Sequence, residues 1–130
     1  MVRQFALVFG VVYLLVGLLG IVQTGMGAEP ETLLGLFEVN GLHNIVHLLI
    51  GILGIAAYIG GEALSVQYAK WIGVVLIVLG VLGIFLPGGF GLVPLGGWDI
   101  LLHILTGLVA LYFGFRAAPT RPMEQRDLAT

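Results

Sequence analysis

Four stretches of mostly apolar residues, each about as long as a helix needs to cross a ~30 Å hydrocarbon core, dominate this sequence. The first runs from about Gln4 to Val22 and the second from Asn40 to Tyr58 or Ile59. The third runs from about Tyr68 to Leu86, and the fourth from Gly97 or Trp98 to Phe115. Lipid offers the backbone no hydrogen bonds, so each stretch is predicted to satisfy its own N–H and C=O groups as an α-helix. The 130 residues are 59% hydrophobic and only 9% charged. Soluble domains carry about 25% charged residues, and a core of this size cannot absorb so much apolar surface. There are no cysteines, which excludes disulfides, thiolate metal sites and cysteine nucleophiles. A net charge of -2 with no basic stripe leaves nucleic acid out of the expected partners.

The chain also repeats itself. Asn40-Gly41-Leu42-His43-Asn44-Ile45-Val46-His47-Leu48-Leu49-Ile50-Gly51 is echoed 56 residues later, with His47 on His103, Gly51 on Gly107 and His43 on Asp99. At an offset of 63, Gly10, Val11, Val12, Gly17, Leu19, Gly20 and Ile21 recur in the third stretch as Gly73, Val74, Val75, Gly80, Leu82, Gly83 and Ile84. The expected fold is therefore an all-α integral membrane four-helix bundle made of two tandem two-helix repeats. The copies cover about 4–59 and 68–115 within one domain, 1–116. A two-helix unit returns the chain to its starting side, so the copies are parallel, related by a pseudo-two-fold axis along the membrane normal. The first stretch counts as a retained helix. Cleavage before Glu29 would place Met26 and Ala28 at the small-residue positions, a poor match to a signal-peptide site.

Arg3, Lys70, Arg116, Arg121 and Arg126 all fall on the side that holds both termini and the central link. The positive-inside rule places that side in the cytoplasm. The first outer connection carries Glu29, Glu31 and Glu38. Its portion from Pro30 to Phe37 is expected to form a short interfacial helix, with Pro30 and Glu31 suited to the start and Leu33, Leu34, Leu36 and Phe37 giving an apolar side. The second connection, Pro87 to Gly97, is uncharged and turn-rich. Residues 117–130 are expected to be a polar cytoplasmic tail.

Ionisable groups in lipid are costly, so their placement needs a cause. Asn40 suits the N-cap of the second helix. His43 and His47, four apart, share one helix face with Asn44 beside it, and Asp99 and His103 repeat that spacing. Under the repeat, His43 and Asp99 form an outer layer. His47 and His103 form an inner one, His47 roughly 10 Å along its helix from Asn40. The leading expectation is a structural polar cluster of Asn40, His43, Asn44, His47, Asp99 and His103, hydrogen-bonded across the bundle, with His43 and Asp99 of the outer layer as a hydrogen-bonded pair. No cofactor is required by that reading.

One alternative is ligation. His47 and His103 at equal depth could hold haem b axially, although haem needs their helices well apart, and glycine favours close approach. His43, His47, Asp99 and His103 also have ligand types acceptable for a divalent metal such as zinc. The other alternative is an outward-facing proton or small-ligand module, but the cytoplasmic halves of the helices carry no matching polar chain. Catalysis is not expected. No Ser or Cys lies near the histidines, Ser65 falls on the opposite side, and Thr106, one turn past His103, can bond its own helix backbone. Gly88, Gly89 and Gly91 lack a Walker lysine or a Rossmann setting.

Gly10 and Gly17, Gly73 and Gly80, and Gly107 and Gly114 are each seven apart, and Gly51 and Gly54 continue the pattern. Small residues let membrane helices approach closely. Gly10, Gly17, Gly51, Gly73, Gly80 and Gly107 are thus expected to be packing positions, within the bundle or against another chain. Tyr58, Tyr68, Trp71, Trp98 and Tyr112 read as interfacial anchors.

The segment from Leu33 to Gly51, with Val39-Asn40-Gly41-Leu42-His43-Asn44-Ile45-Val46-His47-Leu48 at its centre, resembles the signature of a family of small bacterial membrane proteins. That family is catalogued only as a domain of unknown function with four predicted spans. Its later D-x-x-L-H-x-x-x-G pattern is matched by Asp99, Leu102, His103 and Gly107. The short, uncharged second connection is the main departure from the pattern. The resemblance covers most of the chain and implies the bacterial inner membrane and four spans; it implies no activity, substrate or cofactor. Small size, thin extramembrane parts and glycine faces then favour a non-catalytic structural or accessory subunit. Its expected partners are the lipid bilayer and other membrane chains or copies of itself.

Overall fold

The computed structural model describes residues 1–117; the rest of the tail expected at 117–130 lies outside the described residues. Each apolar stretch forms one helix: α1 Val2–Thr24, α2 Gly41–Gly60, α3 Glu62–Phe85 and α4 Trp98–Arg116. All four are long and apolar enough to cross a membrane. The chain is an all-α four-helix bundle of the multi-pass membrane type.

The helix ends follow local chemistry. Asn40, in extended conformation, caps α2 by accepting the His43 N–H at 2.9 Å. Gly25, with φ of 74°, ends α1 and gives its N–H to Ile21. Between α2 and α3 stands the single residue Gly61, whose φ of 103° disfavours any side chain. Ser65 Oγ is shared between the carbonyls of Ala57 (3.0 Å) and Gly61 (2.9 Å), which also accept the backbone N–H groups of Gly61 and Ser65, so one hydroxyl ties the two sides of this sharp joint.

The third helix starts at Glu62, six residues before the Tyr68 that opens its apolar stretch. Its 24 residues span about 36 Å, more than a ~30 Å core. The helical backbone begins before the apolar window does. Tyr68 consequently lies well inside α3 and is not an anchor at its end. Its hydroxyl donates to the Ile50 carbonyl at 3.0 Å, and its ring meets Phe9 edge-on. Trp71, Trp98 and Tyr112 do present exposed rings.

The short helix expected from Pro30 to Phe37 is a β-hairpin instead. Strands β1 Glu31–Leu33 and β2 Phe37–Val39 pair antiparallel, with Leu33 opposite Phe37. Positive φ at Leu34 (54°) and Gly35 (69°) turns the chain, and the Leu36 N–H closes the turn on the Leu33 carbonyl. Leu33 and Val39 are buried under the hairpin, whereas Leu34 and Leu36 are exposed. In each strand the last residue is the buried one, Leu33 in β1 and Val39 in β2, so the leucines do not share the single apolar face a helix would give them.

The closest packing is α1 on α2 and α3 on α4, backbone to backbone at glycine. A Cβ on Gly51 would lie 2.7 Å from the Gly10 carbonyl oxygen, and one on Gly107 would lie 3.0 Å from that of Gly73. Likewise Gly17 abuts the Leu48 N–H, and Gly80 abuts that of Ile104. These contacts correspond residue by residue at the offsets of 63 and 56. The glycine faces are therefore turned inward, pair against pair. Between the pairs lies a core of Phe5, Phe9, Tyr13, Ile50, Ile72 and Leu76. Leucines and valines such as Val8, Leu15, Leu53, Val78 and Leu108 are exposed, as lipid-facing residues are.

Candidate functional site

Two i,i+4 pairs meet at the end of the bundle that carries the hairpin. Residues four apart project from one helix face, so α2 offers His43 and His47 together and α4 offers Asp99 and His103. All four side chains are buried. The imidazoles of His43, His47 and His103 each bring a ring nitrogen within 4.8 Å of the others. Asp99 Oδ2 lies 3.2 Å from His103 Nδ1 and 3.8 Å from His43 Nε2. The hydrogen-bonded His43–Asp99 pair expected from the repeat is not formed. At 3.8 Å the two atoms exceed hydrogen-bond range, because the carboxylate sits nearer to its own helix neighbour, His103.

Asn40 and Asn44 belong to the surrounding frame. Asn40 Nδ2 donates to Ala28 O (3.1 Å) in the first connection and to Leu92 O (2.8 Å) in the second. Asn44 Nδ2 donates to Thr24 Oγ1 (3.1 Å) and Gly25 O (3.3 Å), fastening α2 to the end of α1. Of the six polar positions, four converge and two hold the chain around them.

Tyr13 and Thr106 complete the site, and the sequence did not single out Tyr13. The Tyr13 ring stands edge-on to His47 at 5.3 Å, and its hydroxyl meets Thr106 Oγ1 at 3.1 Å. Thr106 Oγ1 donates to the Leu102 carbonyl at 2.6 Å, the backbone bond foreseen for it. One signal could have found the pair. The repeat places Tyr13 on Leu76 and Thr106 on Ile50, so each is the lone polar member of an otherwise apolar correspondence.

The polar accounting of the cluster does not close within the protein. His43 Nδ1, His47 Nδ1, His103 Nδ1, Asp99 Oδ2 and Asn44 Oδ1 are buried without a hydrogen-bond partner. Buried polar groups are generally paired, and leaving one unpaired costs about 1–3 kcal/mol. Asp99, in the first turn of α4, complements the helix dipole there. No anion elsewhere in the cluster does the same among the described residues. The glycine positions lie away from this chemistry, where they set the helix spacing. Gly51 and Gly10, and Gly107 and Gly73, bring α2 onto α1 and α4 onto α3, which fixes the helices that carry the histidines within their pairs.

The sequence model of the family described as Domain of unknown function (DUF4383) matches residues 3–116, nearly the whole described chain. No curated protein and no solved structure matches it.

Proposed function

Starting from a chain that belongs to the DUF4383 family, a domain of unknown function, we propose a non-catalytic, multi-pass protein of the bacterial inner membrane. It has both termini in the cytoplasm and acts as an accessory component beside other membrane chains. Two copies of a two-helix unit form its body, a reading supported by the matched glycine contacts of the two pairs.

One observation carries this reading. The buried titratable groups of the cluster sit at a single end of the bundle, and a packed core closes the way to the other. Phe5, Phe9, Ile72 and Leu76 fill that interval. The polar side chains found there, Ser65 and Tyr68, are occupied by backbone carbonyls. A conduction path needs polar groups through the full depth, so the arrangement favours a one-sided component over a transporter or proton relay. Among the described residues, the tyrosine packed on His47, Tyr13, has its hydroxyl engaged with Thr106, which disfavours its use as a nucleophile.

The accessory role rests on thin extramembrane parts: one residue, Gly61, joins α2 to α3, and only a hairpin and a short loop cover the opposite end. Because the glycines are used inside the bundle, a partner would meet the exposed leucine and valine faces. A photo-crosslinking residue placed at Leu53 or Val78 in native membranes is expected to give a discrete adduct with a membrane chain or a second copy. No adduct from either position, together with a strictly monomeric purified protein, would overturn the accessory role.

A further inference from the structure

We propose that His43, His47, His103 and Asp99 bind one divalent transition-metal ion of the zinc class, which ties α2 to α4. This goes beyond the accessory role and stands without it. Three features point to a metal. First, the donors converge. Metal–nitrogen and metal–oxygen bonds of about 2.0–2.2 Å put neighbouring ligand atoms of a tetrahedral site about 3.3 Å apart. Asp99 Oδ2 is already 3.2 Å from His103 Nδ1 and 3.8 Å from His43 Nε2. The ring nitrogens lie within 4.8 Å of one another, and binding would draw them in to that spacing by side-chain rotation.

Second, these atoms do not satisfy one another. Asp99 Oδ2 and His103 Nδ1 are close, yet neither has a hydrogen-bond partner, and Nδ1 of both His43 and His47 is also unpaired. Donor and acceptor groups that formed a structural network would point at each other. His43 turns its other nitrogen, Nε2, toward Asp99, and each of the three histidines can offer one ring nitrogen to a shared ion.

Third, the ligand set is selective. Three neutral imidazoles and one carboxylate suit zinc and its neighbours in the first row, whereas an all-oxygen set would suit magnesium or calcium. The absence of cysteine removes the thiolates that favour copper(I). Haem does not fit the same residues. The His43 ring lies 4.5 Å from His47 and 6.0 Å from His103, centre to centre, and Tyr13 closes the next side. No porphyrin-sized slot is left between His47 and His103.

Four protein ligands make a closed site, the mark of structural rather than catalytic zinc. The ligands come from α2 and α4, one from each closely packed helix pair, so the ion would lock the two pairs together at one end.

The test is metal content of the full chain, purified from membranes in mild detergent without chelator and then reconstituted with zinc. About one zinc per chain is expected, bound through nitrogen and oxygen in its X-ray absorption spectrum. His47→Gln, His103→Gln and Asp99→Asn should each lower the bound metal to roughly a tenth or less, while Leu53→Ala, on the exposed face of α2, should retain it. Cobalt in place of zinc should give the intense visible bands of four-coordinate cobalt, which the same variants abolish. Helical circular dichroism and a single gel-filtration peak establish that a variant has folded. Folded parent protein that stays metal-free after reconstitution overturns the proposal. So does metal that the three variants leave unchanged, or a haem absorption band in the parent.

Discussion

Asn40 joins three parts of the chain through one side chain. Its Oδ1 receives the His43 N–H, and its Nδ2 reaches the carbonyls of Ala28 and Leu92. Asn40→Ala should cost about 1–2 kcal/mol through the lost cap alone, read as a lower melting temperature in detergent. It should also speed protease cleavage in both outer connections. Asn40→Asp keeps the capping oxygen and loses the amide donors, so it should retain most of the thermal stability while still loosening the connections. If both variants melt and digest like the parent, the Asn40 bonds contribute nothing. At this scale the sequence was partly legible. The cap at Asn40 could be read because a polar residue before an apolar run has one local use. Tyr13 could not, because a tyrosine inside an apolar stretch gives no local sign of the Thr106 hydroxyl 93 positions away that it meets. Its partner is set by the packing of α1 against α4. The same holds for Asp99, whose distance to His43 depends on how the two pairs dock and not on their spacing along the chain.

Among the elements, the helices were legible and the connections were not. Twenty apolar residues in lipid have one way to satisfy their backbone, whereas Leu33-Leu34-Gly35-Leu36-Phe37 suits either a helix face or a strand pair with a turn at Gly35. Left-handed φ at Leu34 and Gly35 decides for the hairpin, and only tertiary burial of Leu33 and Val39 makes that worthwhile. The glycines were identified as packing positions, but their partners emerge from the fold: α1 seats on α2 and α3 on α4. The tightness differs between the pairs, and this difference is testable. An added methyl at Gly51 would sit 2.7 Å from the Gly10 carbonyl oxygen, against 3.0 Å for the matching contact of Gly107 with Gly73. Both approaches are backbone to backbone, so relief requires the helices to part. Gly51→Ala is expected to destabilise by about 1–3 kcal/mol, and Gly107→Ala by less. Gly88→Ala, where nothing lies within 4 Å, should change little. Thermal melts followed by helical circular dichroism rank the three. An equal or reversed order for Gly51 and Gly107 would mean that the two pairs do not pack as described.

For the whole molecule, the question of which end faces the cytoplasm is one of charge. Every cation of the described residues lies at the end opposite the hairpin, and each is held near an aromatic ring there. Arg3 stands over Tyr58 at 5.0 Å, Lys70 over Phe115 at 4.8 Å and Arg116 over Tyr112 at 5.5 Å. Arg3 also donates to the Tyr58 carbonyl at 3.1 Å, where a cation complements the C-terminal end of α2. Long basic side chains on an apolar stem place their charge at the membrane surface while the stem stays in the apolar layer. The hairpin end carries Glu29, Glu31 and Glu38 instead. Since lysine and arginine, not acidic residues, set topology, the hairpin and the histidine cluster beneath it should face away from the cytoplasm. The chain has no cysteine, so single cysteines can report this without background. Glu29→Cys and Gly88→Cys, both exposed at the hairpin end, should react with a membrane-impermeant maleimide in intact spheroplasts. Glu62→Cys, exposed at the other end, should react only after the membrane is opened. The reverse pattern would invert the proposed topology. If Glu29→Cys and Gly88→Cys reacted from opposite sides, an odd number of spans would separate the two connections, and α2 and α3 could not both cross.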